Sequence, residues 1–369
     1  MTHNHPKLIL LEGLPGSGKS TNSRIIMSSI DQLGKRVKWF HEVARPHPTL
    51  FFNEANLTKR EYQRIVIDFP EDREILEKIK IEMFDTISID LLELEWHDSN
   101  HLNIEVLRAL ENYNVWTFPL QQYIAVALEK WQYFVEKVKR EKDLVVILDS
   151  SIFQFQIYTF LLENSPYQMI ESFVKKLFSI ISELDPTLIL LTRENVEDAL
   201  LNIERSRGID FMETIWKRDS RSPYYHNRPP GAEGYREFLR DYHVIVQRLF
   251  DITAFKKLNL DISEGDWKQY VSEMLLFLEI RESDVKYQMN FPIGIYENNK
   301  LDLKLEILEG YLVDPTGKKK RLIPRNECEL YIDDLPVILR LEESNKITVK
   351  GGQLIDRWTT LNTEFLKVE

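Results

Sequence analysis

Residues 7–21, KLILLEGLPGSGKST, narrow the fold of this chain more than any other stretch. Leu8–Leu11 are consecutive apolar residues, the pattern of a strand buried on both faces of a parallel sheet. Gly13-x-x-x-x-Gly18-Lys19-Ser20 follows directly, with the spacing of a phosphate-binding loop (P-loop, Walker A). Backbone N–H groups wrap a triphosphate only where the chain curls tightly and approaches closely, and Gly13, Gly16 and Gly18 allow both. Lys19 offers a compact cation to the β- and γ-phosphates, and the Ser20 hydroxyl suits Mg²⁺. A helix starting here aims its positive end at the anion. Ile25, Ile26, Met27 and Ile30 then recur at helical spacing, and Gly34 marks the stop. The candidate nucleotide-binding residues are Gly13, Pro15, Gly16, Ser17, Gly18, Lys19, Ser20 and Thr21.

The rest of the chain allows one large or two moderate domains in its 369 residues. The formal net charge of −11 argues against nucleic acid as the main partner. The single Cys328 excludes an intramolecular disulfide and a cysteine metal cluster, and suits a reducing cytoplasm. No apolar run is long enough to span a bilayer, and the short N-terminal one is the loop's own strand rather than a cleaved signal. A cytoplasmic protein without a membrane partner is expected. Pairing into a homodimer is left open.

After the first helix, Arg36–Phe40 reads as a second strand, followed by His41-Glu42-Val43-Ala44-Arg45-Pro46-His47-Pro48. Ligands of open α/β sheets bind beyond the carboxyl ends of strands, so Glu42 and Arg45 are candidates to meet a phosphoryl acceptor; a loop ion pair is the alternative. Residues 53–120 read as a helical insertion over the acceptor pocket, with Leu76, Ile79, Met83 and Ile87 on one amphipathic face. His97 and His101 lie here, as surface or core residues rather than catalysts. Leu144–Leu148 form a β-branched run that closes on Asp149, placing an acid beside the loop to hold Mg²⁺ or accept a proton. Ser150 stands where hydrolytic motors carry a water-activating Glu, which favours transfer over hydrolysis.

A fourth strand is expected at Thr187–Leu191. The helix after it starts at the Asn195 cap, ends at Gly208, and carries Arg205 and Arg207 in its last turn. These arginines either complement the helix dipole or clamp phosphate oxygens. Residues 205–236 read as a lid whose 217–236 stretch is a cation-bearing loop. A helix at 237–250, a strand at 255–262 and a last helix from Trp267 complete a domain spanning 1–284. From 285 to 369, short alternating runs such as Leu301, Leu303, Leu305 and Ile307 are broken by turn signals, and predict a small antiparallel β-domain.

The order strand–GLPGSGKST–helix, strand–Glu42, strand–Asp149 and helix–Arg205-x-Arg207–lid resembles the nucleotide and nucleoside kinases, thymidylate kinase most of all, over residues 7–280 with the insertion at 53–120 unmatched. The resemblance implies the three-layer α/β/α fold of P-loop NTPases, with a parallel five-stranded sheet. It implies ATP and Mg²⁺ as donor and cofactor, with Ser20 and Asp149 at the metal and Lys19, Glu42, Asp149, Arg205 and Arg207 as catalytic residues. The family's Asp-Arg pair is matched only at Asp149, since Ser150 replaces the arginine. The C-terminal β-domain has no counterpart there. The expected activity is phosphoryl transfer from a nucleoside triphosphate to a small hydroxyl- or phosphate-bearing acceptor. The alternative is a P-loop ATPase or nucleotide-dependent switch that signals through the β-domain.

Overall fold

The computed structural model describes residues 6–98, 103–280, 290–342 and 345–368. In chain order, β1 (Leu8–Gly13) leads into α1 (Lys19–Gln32) and β2 (Arg36–Phe40). The insertion holds β3 (Glu54–Thr58), α2 (Lys59–Asp68), α3 (Arg73–Ile79), β4 (Ile81–Glu82), β5 (Thr86–Asp90), α4 (Leu91–Asp98) and α5 (Ile104–Glu111). The chain returns through α6 (Leu120–Arg140), β6 (Leu144–Asp149), α7 (Gln154–Leu162), α8 (Tyr167–Ile181) and β7 (Pro186–Thr192). Then follow α9 (Val196–Arg207), α10 (Ile209–Asp219), α11 (Gly231–Asp251), β8 (Lys256–Asp261) and α12 (Trp267–Phe277).

β2, β6, β1, β7 and β8 lie side by side in that order, all parallel. The near-continuous apolar runs have a simple cause: helices cover both faces. Leu8, Leu10, Val146, Leu148, Leu188 and Leu190 face a core built by α6, α7, α8 and α11. Ile9, Leu11, Val145, Ile147, Ile189 and Leu191 face the opposite way, against α1 and α12. Because β1 is central and the chain crosses from one side of it to the other, a crevice opens at its carboxyl end.

The insertion differs from the helical expectation. It contains the antiparallel sheet β3-β5-β4 beside its helices. Leu76 and Ile79 do lie on one helix, but that helix ends at Ile79, where Lys80 turns extended; Ile87 is on β5. The alternation of Thr86-Ile87-Ser88-Ile89-Asp90 decides in favour of a strand, since Ile87 and Ile89 bury together with Ala55 and Leu57. The side chain of His97, and His101 altogether, lie outside the described residues. Residues 217–236 differ as well. They hold the end of α10, a turn of 3₁₀ helix at Pro223–Tyr225, and the start of α11, which begins at Gly231 rather than near 237. Tyr224 and Tyr225 anchor this segment by packing on Phe238.

The C-terminal part forms a closed antiparallel barrel of eight strands, β9 (Gly294–Asn298), β10 (Leu303–Leu308), β11 (Tyr311–Val313), β12 (Lys319–Pro324), β13 (Glu329–Ile332), β14 (Ile338–Glu342), β15 (Lys346–Lys350) and β16 (Glu364–Lys367). Leu305 and Ile307 point inward, as their alternation requires. The barrel sits against α1. Arg325 clamps Asp31 with two bonds of 2.7 and 2.9 Å, Tyr331 donates to the same carboxylate, and Arg24 pairs with Asp333 at 3.3 Å. Tyr331, Ile323 and Ile338 also join the apolar core on the α1 side of the sheet.

Candidate functional site

The crevice beyond β1 is floored by the Gly13–Ser20 loop. Gly13 has φ 150°, and a Cβ there would lie 2.6 Å from the Leu191 carbonyl oxygen of β7. Gly18 has φ 85°, and a Cβ there would lie 2.8 Å from the Trp267 ring. The loop therefore keeps its course only with glycine at these two positions. α1 starts immediately after Gly18, so the N-terminal end of its dipole points into the loop. Lys19 is buried, and its Nζ donates to the carbonyls of Gly13 at 2.9 Å and Leu14 at 3.1 Å. The loop's outer side is packed by α9, where Asn202 donates to the Gly16 carbonyl at 3.4 Å.

β6 brings Asp149 to the same place. Ser20 Oγ donates to Asp149 Oδ2 at 3.2 Å, while Oδ1 is buried without a partner. The chain leaves the sheet through Ser150 in a left-handed conformation, φ 60°, a sparsely populated geometry for a non-glycine residue that clusters at functional sites. Glu42, just past β2, accepts from Gln154 Nε2 at 3.3 Å. The carboxyl ends of β1, β2 and β6 thus assemble Lys19, Glu42, Asp149 and Ser20 from distant parts of the chain.

Glu12 belongs to this group and sequence reasoning passed over it. Its carboxylate is fully buried and accepts from the backbone N–H groups of Ile152, Phe153 and Gln154, tying the segment after β6 to β1. Burial still pushes it up to about 7, against those bonds and the Lys19 charge. An acid inside a run of strand apolars, LILLEG, was the available signal, because a charge there must find buried partners. Gln154, whose Oε1 is buried and unpaired, had no such signal.

The charges are mutually dependent. Burial pushes the Lys19 ammonium down, and Glu42, Glu12 and Asp149 pull it back in part. Burial also pushes Glu42 up, but Lys19 and His41 outweigh it and leave that carboxyl below its usual range. Asp149 is pushed well above the carboxylate range by burial and then by the Glu42 charge. A divalent cation would relieve this arrangement, since it would meet the unpaired Asp149 oxygen beside the Ser20 hydroxyl. The donor set is hard oxygen, which suits Mg²⁺. Among the described residues no group of three or more His, Cys, Asp or Glu is placed to hold a metal, and Mg²⁺ commonly takes one or two protein ligands plus water and phosphate.

The remaining candidates divide. Arg207 is exposed on the last turn of α9, stacks over Phe211 at 4.9 Å, and its charge reaches both Lys19 and Glu42. Arg205, on the same turn, is exposed. Arg45 turns away from the crevice; it donates to the Phe52 carbonyl and lies 3.9 Å from Asp90 of β5. It joins β2's loop to the insertion as a loop ion pair. Three of the cations of 217–236 have carboxylate partners: Arg218 with Asp219, Arg228 with Glu237 and Asp241, Arg236 with Glu204.

No protein-family model matches the chain, and no curated protein matches it. Among the described residues, no helix is long and apolar enough to cross a membrane.

Proposed function

We propose that the protein is a Mg²⁺-ATP-dependent phosphotransferase of the P-loop kinase type, acting on a small acceptor that carries a hydroxyl or a phosphate. The observation that carries this reading is the convergence of Lys19, Glu42 and Asp149 on one crevice, with Ser20 bonded to Asp149. In this reading Lys19 exchanges the Gly13 and Leu14 carbonyls for the terminal phosphates of the donor, and loop N–H groups hold the rest. Ser20 and Asp149 would hold Mg²⁺, which supplies charge neutralisation on the phosphates. Asp149 is then committed to the cation. Glu42, which Lys19 keeps ionised, is the group suited to orient an acceptor hydroxyl and take its proton. Arg207 approaches from the lid side and offsets charge in transit. Catalysis of this kind is mostly positioning and electrostatics, and the cover formed by α10 and α11 fits the need to keep water from the donor.

Lys19→Ala is the test. Transfer of the γ-phosphate to a pool of nucleosides, nucleoside monophosphates and other hydroxylated metabolites falls by roughly 10²–10³-fold or more, while circular dichroism and melting stay near wild type. An unchanged rate refutes the assignment. A second reading, a nucleotide-dependent switch read out by the barrel, draws on the ties between α1 and Asp333 and Arg325. It is favoured if wild-type protein releases only free phosphate and captures a partner in one nucleotide state.

A further inference from the structure

The barrel meets the end of β2 through the side chain of Gln353. Gln353 lies in the 351–359 loop between β15 and β16. Its Nε2 donates to the Trp39 carbonyl and its Oε1 accepts from the His41 N–H at 3.1 Å. One side-chain amide thus satisfies residue i and residue i+2 along the outer edge of β2, as the peptide group of a neighbouring strand would. The next barrel residue continues the pattern, since Arg45 N–H donates to the Leu354 carbonyl at 3.0 Å. Between these two attachments lies Glu42. The Lys320–Asp334 pair of the barrel also faces His41, whose ring burial keeps below its ordinary range.

The loop that presents Gln353 is rigidly built. Thr359, 1% exposed, receives N–H bonds from Ile355 and Asp356 on its Oγ1 and donates to the Gln353 carbonyl. Trp358 anchors the loop in the barrel core. A Cβ on Gly352 would lie 2.1 Å from the Thr359 carbonyl oxygen, so the chain closes on itself there. The Gln353 amide takes no part in the strand pairing that closes the barrel. Its polar side is spent on β2.

We infer that the barrel completes the catalytic crevice, and that Gln353 is a positioning residue that fixes the Trp39–Arg45 segment so that the Glu42 carboxylate faces Lys19. This inference rests on the phosphotransferase reading for its functional consequence, though the clamp itself does not. It assigns the C-terminal domain a role in the acceptor half of the site. β2 is an edge strand, and an edge strand's end is otherwise free to fray. The donor half does not depend on Gln353, because the loop runs straight out of β1 and α1 meets the barrel through Asp31 and Arg24 instead. The clamp therefore bears on where the acceptor acid sits and leaves donor binding alone.

The test uses full-length protein and a double-mutant cycle. Gln353→Ala raises amide exchange at residues 40–45 by about fivefold or more and leaves β1 and β7 amides unchanged. The same variant lowers kcat for transfer from Mg·ATP to the metabolite pool by about tenfold or more, with KM for Mg·ATP within about threefold. In a Glu42→Ala background, Gln353→Ala produces no further loss of kcat, because its effect passes through Glu42. Gln353→Glu keeps the size but sets a carboxylate oxygen against the Trp39 carbonyl, and behaves like Gln353→Ala if the clamp and not bulk is what matters. Unchanged exchange at 40–45, or losses that multiply with Glu42→Ala, overturns the inference. Wild-type protein that transfers no phosphate removes the phosphotransferase reading and the catalytic role of Gln353 with it. Exchange then still reports whether the clamp exists.

Discussion

Replacing Lys130 by methionine tests how the insertion is attached. Lys130 Nζ, on α6, lies 2.6 and 2.7 Å from the two oxygens of Glu54 at the start of β3, and 2.7 Å from the Leu50 carbonyl. Both side chains are 3% exposed or less, and the ammonium also sits 4.2 Å from the centre of the Phe51 ring. In Lys130→Met the Glu54 carboxylate stays buried without its counter-charge. Truncating one partner of such a pair costs about 3–5 kcal/mol, because the orphaned ion keeps its desolvation penalty. For a domain of this size that corresponds to a fall in Tm of roughly 6–10 °C. Lys130→Met combined with Glu54→Leu removes both charges, and recovers stability to within about 1 kcal/mol of wild type or beyond. Differential scanning calorimetry gives the Tm values, and amide exchange in β3 and β5 locates the change. A single variant that melts within about 2 °C of wild type, or a double variant no better than the single, would refute the reasoning.

Two more predictions follow from the crevice. Glu12 sits at about 7 rather than 4.5, so between those pH values the folded protein keeps a proton that the unfolded chain has released. Its contribution to stability is complete below 4.5 and is lost as pH rises through 7, by about 3 kcal/mol; Glu12→Gln flattens that part of the stability–pH curve, and an unaltered curve counts against the account. Gly13→Ala drives a Cβ into the Leu191 carbonyl and lowers stability by about 1–3 kcal/mol while weakening Mg·ATP binding in calorimetry; a variant equal to wild type in both measurements contradicts the close approach.

How much of this was legible in the sequence depends on the range of the forces involved. The parallel sheet was, because burial on two faces writes itself as runs such as Leu144–Leu148, and the structure returns those strands almost residue for residue. The Asn195 cap and the Gly208 stop were also legible, since a cap is a contact between near neighbours. The insertion was misread where two periods coincide. Leu76, Ile79, Met83 and Ile87 fit a helix by count, yet the alternation at 86–90 belongs to a strand whose partner is 30 residues earlier in the chain. The segment at 217–236 was misread because Pro and Gly suggested a loop, while Pro230 and Gly231 in fact open α11. Turn signals located the barrel strands but could not report closure, which depends on β16 finding β9.

The site shows the same division with a chemical consequence. Lys19 and Ser20 were readable because the loop that carries them is one continuous motif, and Asp149 because its strand ends on an acid. Glu42 was readable only as a residue past a strand end. Its neighbour Arg45 has the same sequence credentials, and yet the two go opposite ways. Glu42 falls under the charge of Lys19, whereas Arg45 leaves for Asp90 and the Phe52 carbonyl. What separates them is not local. Gln353 and Leu354, some 310 residues later, take hold of the backbone on either side of Glu42, and β5 supplies the carboxylate that draws Arg45 off. A phosphate-binding motif can be written in fifteen consecutive residues because backbone curvature is what such a motif specifies. The surroundings of Glu42 have no such shorthand. They are put together by contacts between residues far apart in the chain, Gln154 of α7 on the Glu42 carboxylate, Gln353 of the barrel on the backbone beside it, and Asp90 of β5 on Arg45.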